Sequence, residues 1–212
     1  MVRSTTESAT RDRLLAAAID VFAAKGYHGA VVDDIVAASR TSKGAFYHYF
    51  PSKQGIFITL MDTLAGMVEA RVEEAIAAQR GALAKVEAAL RVVLETAAEQ
   101  RELAKILLVE AVGLGPELEQ KRLEIHRRFA AVIQRHLDRA VAEGSIPAQD
   151  TALAARAWLG ALVEVITQWL VAEGEDLRTR LPALRSLLLR SIGAAEAGRR
   201  PAAGPRRQRR PQ

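Results

Sequence analysis

Apolar positions recur every three or four residues along almost the whole of this chain, and a period of two is nowhere sustained. In "TRDRLLAAAIDVFAAKG", Leu14, Ala18, Val21 and Phe22 fall on one side of a helix. Thr10 is placed to cap its start, and Gly26 to end it in a left-handed turn. "VVDDIVAAS" predicts a short helix with Asp33 and Asp34 at its positive N-terminal end. "RT" makes a tight turn, and "SKGAFYHYF" predicts a second short helix that stops at Pro51, since the residue before a proline resists helical geometry. Ser52 then caps a long helix reaching about Gln79, with Ile56, Leu60, Leu64 and Val68 on one face.

Beyond Gly81 the predicted helices lengthen. "ALAKVEAALRVVLETAAEQ" and "ELAKILLVEAV" are two of them, and "GLGP" breaks the chain, with Pro116 at a favourable first helical position. A long helix follows to Glu143, "GSIP" breaks again, and Asp150 caps a helix containing "AWLGALVEVITQWLV", apolar nearly all the way round. The last segment, "LRTRLPALRSLLLRSIG", puts Leu181, Leu184, Leu187, Leu188 and Ile192 on one side, with Pro182 near its start. The pattern predicts an all-α protein of nine helices.

Composition narrows the chemistry. Half of the 212 residues are apolar and cysteine is absent, which excludes disulfides, thiolate metal sites and a cysteine nucleophile. The polar start "MVRSTTESATRDR" has no signal-peptide core, and no stretch reaches the roughly 20 apolar residues of a membrane span. The expectation is a soluble, cytoplasmic protein with no membrane association. The net charge of +5 is unevenly spread. Residues 1–53 hold seven Lys/Arg against five Asp/Glu, and residues 54–196 hold seventeen against twenty. Residues 197–212 contribute six arginines and no acid in a Pro- and Gly-rich tail that is expected to be disordered and basic.

Four of the ten aromatic residues stand within positions 46–50, in "TSKGAFYHYFPSK". Two short helices joined by a tight turn and packed on a preceding helix describe a helix-turn-helix DNA reader, whose second helix enters the major groove. Its leading residues must be small, and Ser42, Lys43, Gly44 and Ala45 fit. Gly44 costs helix stability but lets the backbone approach DNA closely. Lys43 can reach a guanine edge or a phosphate. Tyr47 and His48 suit backbone phosphates, and Lys53 adds a cation at the flank. Phe46 and Phe50, four apart, share a face turned to the core, and Tyr49 is structural.

Residues 10–57, and "TSKGAFYHYFPSKQGIF" above all, resemble the DNA-binding domain of the tetracycline-repressor (TetR) family of bacterial transcriptional regulators. The resemblance implies a two-domain, nine-helix homodimer: residues 1–53 bind a palindromic operator and residues 54–196 bind a small molecule and dimerise. Its eighth and ninth helices would form a four-helix interface. The chain departs from the family pattern at residue 31 and across the turn 39–41. Val31 stands where Ser or Thr usually caps the second helix, and Ser39-Arg40-Thr41 replaces the usual Ala-Gly-Val turn. Arg40 would take on a left-handed backbone while adding a cation near DNA, and Thr41 could turn toward a base or phosphate.

The second domain has no motif of comparable strength. Polar residues among apolar neighbours are its pocket candidates: His126, and Glu164, Thr167 and Gln168 on the eighth helix. Arg127 and Arg128 read as solvated, and Trp158 and Trp169 as core or dimer-interface anchors. The stretch "ILLVEAVGLGPELEQKRLEIHRRFAAVIQRHL" resembles acyl-CoA-responsive members of the family, so the effector expected is an acyl-CoA or another apolar metabolite. An enzyme is disfavoured: His28, His48, His126 and His136 have no metal-ligand spacing, and no phosphate loop is present, so no cofactor or metal is expected. A non-specific DNA-compacting protein would need basic charge over its folded body, which this chain lacks. Activator or repressor stays open at this level.

Overall fold

The computed structural model of the chain describes residues 2–172 and 176–194, with side chains from residue 9 onward and Leu83 excepted. The arginine-rich tail, residues 197–212, lies outside the described residues. Among the described residues nine α-helices follow one another: α1 (Val2–Gly29), α2 (Val32–Ser39), α3 (Lys43–Tyr49), α4 (Lys53–Ala77), α5 (Ala82–Glu99), α6 (Arg101–Lys105), α7 (Pro116–Ala142), α8 (Thr151–Val171) and α9 (Leu181–Ser191). A π turn, Ile106–Glu110, continues α6, and a 3-10 turn, Leu177–Arg180, leads into α9. No strand occurs among the described residues.

Local chemistry accounts for most boundaries. The hydroxyls of Ser42 and Ser52 accept from the N–H groups of Ala45 and Gly55, both at 3.0 Å, and the Asp150 carboxylate accepts from Leu153 N–H at 2.9 Å. These bonds satisfy donors that the first helical turn leaves orphaned. Gly113 and Gly115 both have positive φ, which sets the break before Pro116. At α2, Val31 has no oxygen to offer, so the Asp34 carboxylate takes the Val31 N–H at 3.1 Å and closes the helix start from the other side.

Three expectations about the helices are corrected. Thr10 does not mark the helix start, because α1 runs through it from Val2. Gly26 does not end the helix: at φ 68° and ψ 170° it kinks the chain, and one further turn follows, closed by Ala30 N–H to Gly26 O at 3.3 Å. The segment "ELAKILLVEAV" is also not one α-helix. Its second half is the π turn, with Ala111 N–H bonded to Ile106 O at 2.8 Å. The wider turn serves two cores at once, since Leu103 and Ile106 enter the first while Leu108 and Val109 pack against the second.

The first core holds Leu14, Phe22, Ile35, Phe46, Phe50 and Phe57 from α1 to α4 and is completed by Ile106, Ala111 and Leu118. Helices α2 and α3 are therefore part of a core shared with the body, not merely tethered to it. The second core is aliphatic apart from Trp158 and is built from α5, α7, α8 and α9. Outside, α4 and α7 are laced by ion pairs: Asp62 with Lys121 and Arg128 (both 3.0 Å), Glu69 with Arg128 (2.7 Å) and Glu73 with Arg135 (2.6 Å). Arg128 is thus not simply solvated; its planar fork bridges two carboxylates seven residues apart on α4.

Candidate nucleic-acid interface and small-molecule cavity

The N-terminal helices put the DNA-reading candidates on one surface. Ser42, Lys43, Gly44, Tyr47 and His48 are exposed along α3, while Phe46 and Phe50 on its other side are buried at 0% and 2%. Ala45 is half-buried, its N–H held by the Ser42 hydroxyl. A Cβ added at Gly44 would meet nothing nearer than Ser42 Oγ at 3.8 Å. The chain itself therefore gives no packing reason for a helix-weakening glycine there, whereas close approach to an outside surface does. Phe46 meets Tyr47 edge-on at 5.3 Å and Phe50 at 5.9 Å, so the aromatic cluster is a core anchor with Tyr47 projecting from it.

Besides Ser42, three of the candidate groups are engaged within the chain. Lys43 Nζ lies 2.7 Å from the Asp33 carboxylate of α2, and both side chains are well exposed, so solvent weakens the pair. Thr41 does not face outward: its hydroxyl lies 2.8 Å from that of Ser39, which donates to Val36 O. Arg40 is exposed and left-handed, φ 53° and ψ 43°, the one non-glycine residue with positive φ among those described. Holding it there costs about 1 kcal/mol. Lys53 is the clearest reassignment. Its ammonium donates to Tyr27 O at 2.7 Å and Ala30 O at 2.8 Å and sits 4.4 Å from the Tyr27 ring centre. Two of its three protons belong to the α1–α2 connection, and burial lowers its pKa. It joins α4 to the last turn of α1.

The body encloses a cavity of about 340 Å³ between α4, α5, α6, α7, α8 and α9. Its wall follows α7 from Arg122 to Glu143, roughly 30 Å at 1.5 Å per residue. Most of the wall is Leu, Val, Ile, Ala and Met. His126 is on it. So are Lys85, Thr96, His136 and Arg139, which sequence reasoning passed over. A signal for His136 existed: His126, Phe129, Ile133 and His136 follow the i, i+3, i+7, i+10 spacing of one helix face. Lys85 and Arg139 carried no signal, because helices far apart in the chain bring them together.

Burial lowers the pKa of His126, with Arg122 adding to the effect and Glu119 opposing it. It does the same at His136, where Glu73 opposes and Lys85, Arg139 and Arg135 reinforce. Both imidazoles are therefore biased to the neutral form. Glu164, Thr167 and Gln168 do not border the cavity. Glu164 and Gln168 are exposed and bonded to each other at 2.8 Å. On so apolar a helix the few polar residues partition to the outer side, and α8 turns Trp158, Leu162 and Ile166 inward. Trp158 is a core anchor whose Nε1 donates to Ser191 Oγ at 3.0 Å. Trp169 is half-buried, with the Arg101 guanidinium 4.3 Å from its ring centre. Among the described residues no cluster of His, Asp and Glu could hold a metal, and no helix is long and apolar enough to cross a membrane.

Comparison with known proteins agrees with this arrangement. The family model for bacterial regulatory proteins of the tetR family matches residues 14–60, and that for the tetracyclin repressor-like C-terminal domain matches residues 79–182. A fatty acid metabolism regulator protein of Bacillus subtilis is 28% identical over 178 residues, 84% of this chain and 90% of that one. Among solved structures, the fatty acid degradation regulator FadR from Bacillus halodurans superposes with a TM-score of 0.80 at 24% identity, covering 88% of this chain and 97% of that one. FadR from Bacillus subtilis, crystallised with stearoyl-CoA, gives 0.78 at 26% identity over 87% and 98%. This chain belongs to the TetR family of bacterial regulators. Its relatives are transcriptional regulators, and the protein is a ligand-responsive, DNA-binding regulator of that kind.

Proposed function

We propose that the protein is a homodimeric repressor that leaves a palindromic operator when a long-chain acyl-CoA, or an amphiphile of similar shape, fills the cavity. Residues 1–53 would read DNA through Arg40, Ser42, Lys43, Gly44, Ala45, Tyr47 and His48, and residues 54–196 would bind the effector and dimerise. The cavity carries the reading: a trough along nearly all of α7, aliphatic for most of its length, with Lys85, His136 and Arg139 toward one end. An extended acyl chain fits the aliphatic length, and the cations of Lys85 and Arg139 suit a phosphate-bearing head group. The stearoyl-CoA bound by the Bacillus subtilis FadR supports the same ligand class. Leu153 and Leu187, 59% and 54% exposed on α8 and α9, supply apolar surface for the dimer. A dimer would have to present its two α3 helices about 34–36 Å apart to meet successive major grooves. The reading is that of a cytoplasmic regulator without catalytic activity.

The test is fluorescence anisotropy on DNA selected by the native protein from genomic fragments, at two salt concentrations. Native protein, Lys43→Ala and a chain ending at residue 196 are compared, with stearoyl-CoA, stearate and free CoA as competitors. Binding that survives moderate salt, persists without the tail and weakens in Lys43→Ala establishes the specific regulator. Release by stearoyl-CoA but not by free CoA establishes the effector class. Binding that vanishes with the tail overturns the DNA reading, and indifference to stearoyl-CoA overturns the effector reading.

A further inference from the structure

The kink at Gly26 leaves a problem that the body of the protein solves. Where α1 breaks, the single turn that begins at Gly26 has unpaired N–H groups at its start and unpaired carbonyls at its end. The carboxylate of Glu110, the last residue of the π turn, accepts the Tyr27 N–H at 3.3 Å across 83 residues of chain. The same oxygen is 3.0 Å from the position a Cβ would occupy on Gly26. At the other end of the turn, Lys53 takes the carbonyls of Tyr27 and Ala30. One turn, feeding directly into the reading helices through Ala30 and Val31, is thus held between a carboxylate from the effector-binding body and an ammonium from α4. Each charge sits at the end of the turn that favours it.

Glu110 is also tied to the cavity. Leu103, Ala104, Leu107 and Leu108, on the same short segment, form part of the cavity wall. A π turn holds one residue more than an α turn and so has a tighter alternative within reach. If the segment tightened around a filled cavity, Glu110 would advance by about one residue position, a rise of roughly 1.5 Å and a rotation of about 100°. That is enough to take its carboxylate off Tyr27.

We infer that Glu110 is the positioning residue that couples the cavity to the DNA-reading helices, holding the 27–30 turn in the DNA-competent arrangement until the π turn re-registers. This coupling builds on the regulator reading above but does not depend on which amphiphile fills the cavity. A shift between the two arrangements then sets an expectation of opposite signs: a variant lacking the bond binds DNA less tightly and the effector more tightly.

The experiment compares native full-length protein with Glu110→Ala and Glu110→Gln, since the amide keeps an acceptor oxygen. Hydrogen exchange at the Tyr27 amide reads the bond directly, with no ligand or DNA: protection is expected in the native chain and the Gln variant and faster exchange in the Ala variant. Affinity for the selected DNA is expected to fall about tenfold in the Ala variant and to be largely restored in the Gln variant, while stearoyl-CoA binds the Ala variant more tightly than the native chain. A merely structural residue would weaken both ligands together. Unchanged exchange at Tyr27, or an Ala variant with native DNA affinity, overturns the inference. Should stearoyl-CoA bind none of the three, the effector class fails alone, and the exchange and DNA measurements still decide on Glu110.

Discussion

The N-terminal helices close around fully buried aromatic rings, Phe22, Phe46 and Phe57, whereas the C-terminal helices close around a space of about 340 Å³. In the first region two of the rings, Phe22 and Phe57, meet edge-on at 5.1 Å, and short polar bonds fix each turn. In the second, aliphatic side chains line a trough while ion pairs are kept to the outside of α4 and α7. The contrast follows from the tasks. A DNA reader of two short helices must hold its geometry with little material, and rigid rings do that. A ligand-binding body needs room, and long helices can leave a gap between them without losing their own hydrogen bonds.

The sharpest way to break the comparison is to hollow the first region and fill the second. Phe46→Ala should cost about 3–5 kcal/mol and abolish DNA binding at physiological temperature, read by chemical denaturation and anisotropy. Ala89→Leu, on the cavity wall, should change stability by less than about 1 kcal/mol, because the added carbons enter open space, yet it should weaken stearoyl-CoA binding strongly. Equal stability losses in the two variants would show the body to be packed like the head.

Acid should act on the hollow region. The folded chain binds a proton at His126 and His136 less readily than the unfolded chain does. Stability is therefore full above the ordinary imidazole value of about 6.5 and declines as pH falls below it toward the lowered folded values. Denaturation midpoints from pH 7.5 to 5 should fall in the native protein and fall less in a His126→Gln/His136→Gln double variant. The smallest effect is expected on the rigid region's surface. Asp33→Asn frees Lys43 from its exposed ion pair, so stability should move by no more than about 0.5 kcal/mol while DNA affinity rises severalfold. An unchanged affinity would remove Lys43 from the interface.

What was readable along the chain was local. Ser42, Ser52, Asp150 and Pro116 announce helix starts within their own few residues, and the spacing of Phe46 and Phe50 assigns an inner face to α3. The left-handed backbone of Arg40 was legible only through the family resemblance, whose turn carries glycine at that place. Lys53 shows the limit: beside a DNA-reading helix it looks like a phosphate contact, yet carbonyls of residues 27 and 30 reach it first. Glu164, Thr167 and Gln168 stood out as polar residues on an apolar helix, and only the placement of α8 against its neighbours shows that they turn away from the cavity.

The sequence by itself determined the helices, their order and the DNA-reading motif, because caps, helical periodicity and a proline stop act over a few residues. The tertiary structure alone decided the cavity, the company of Lys85, His136 and Arg139, and the bond from Glu110 to Tyr27. Those depend on how long helices cross and on where a π turn shifts the register by one residue. Periodicity along a single chain does not specify either.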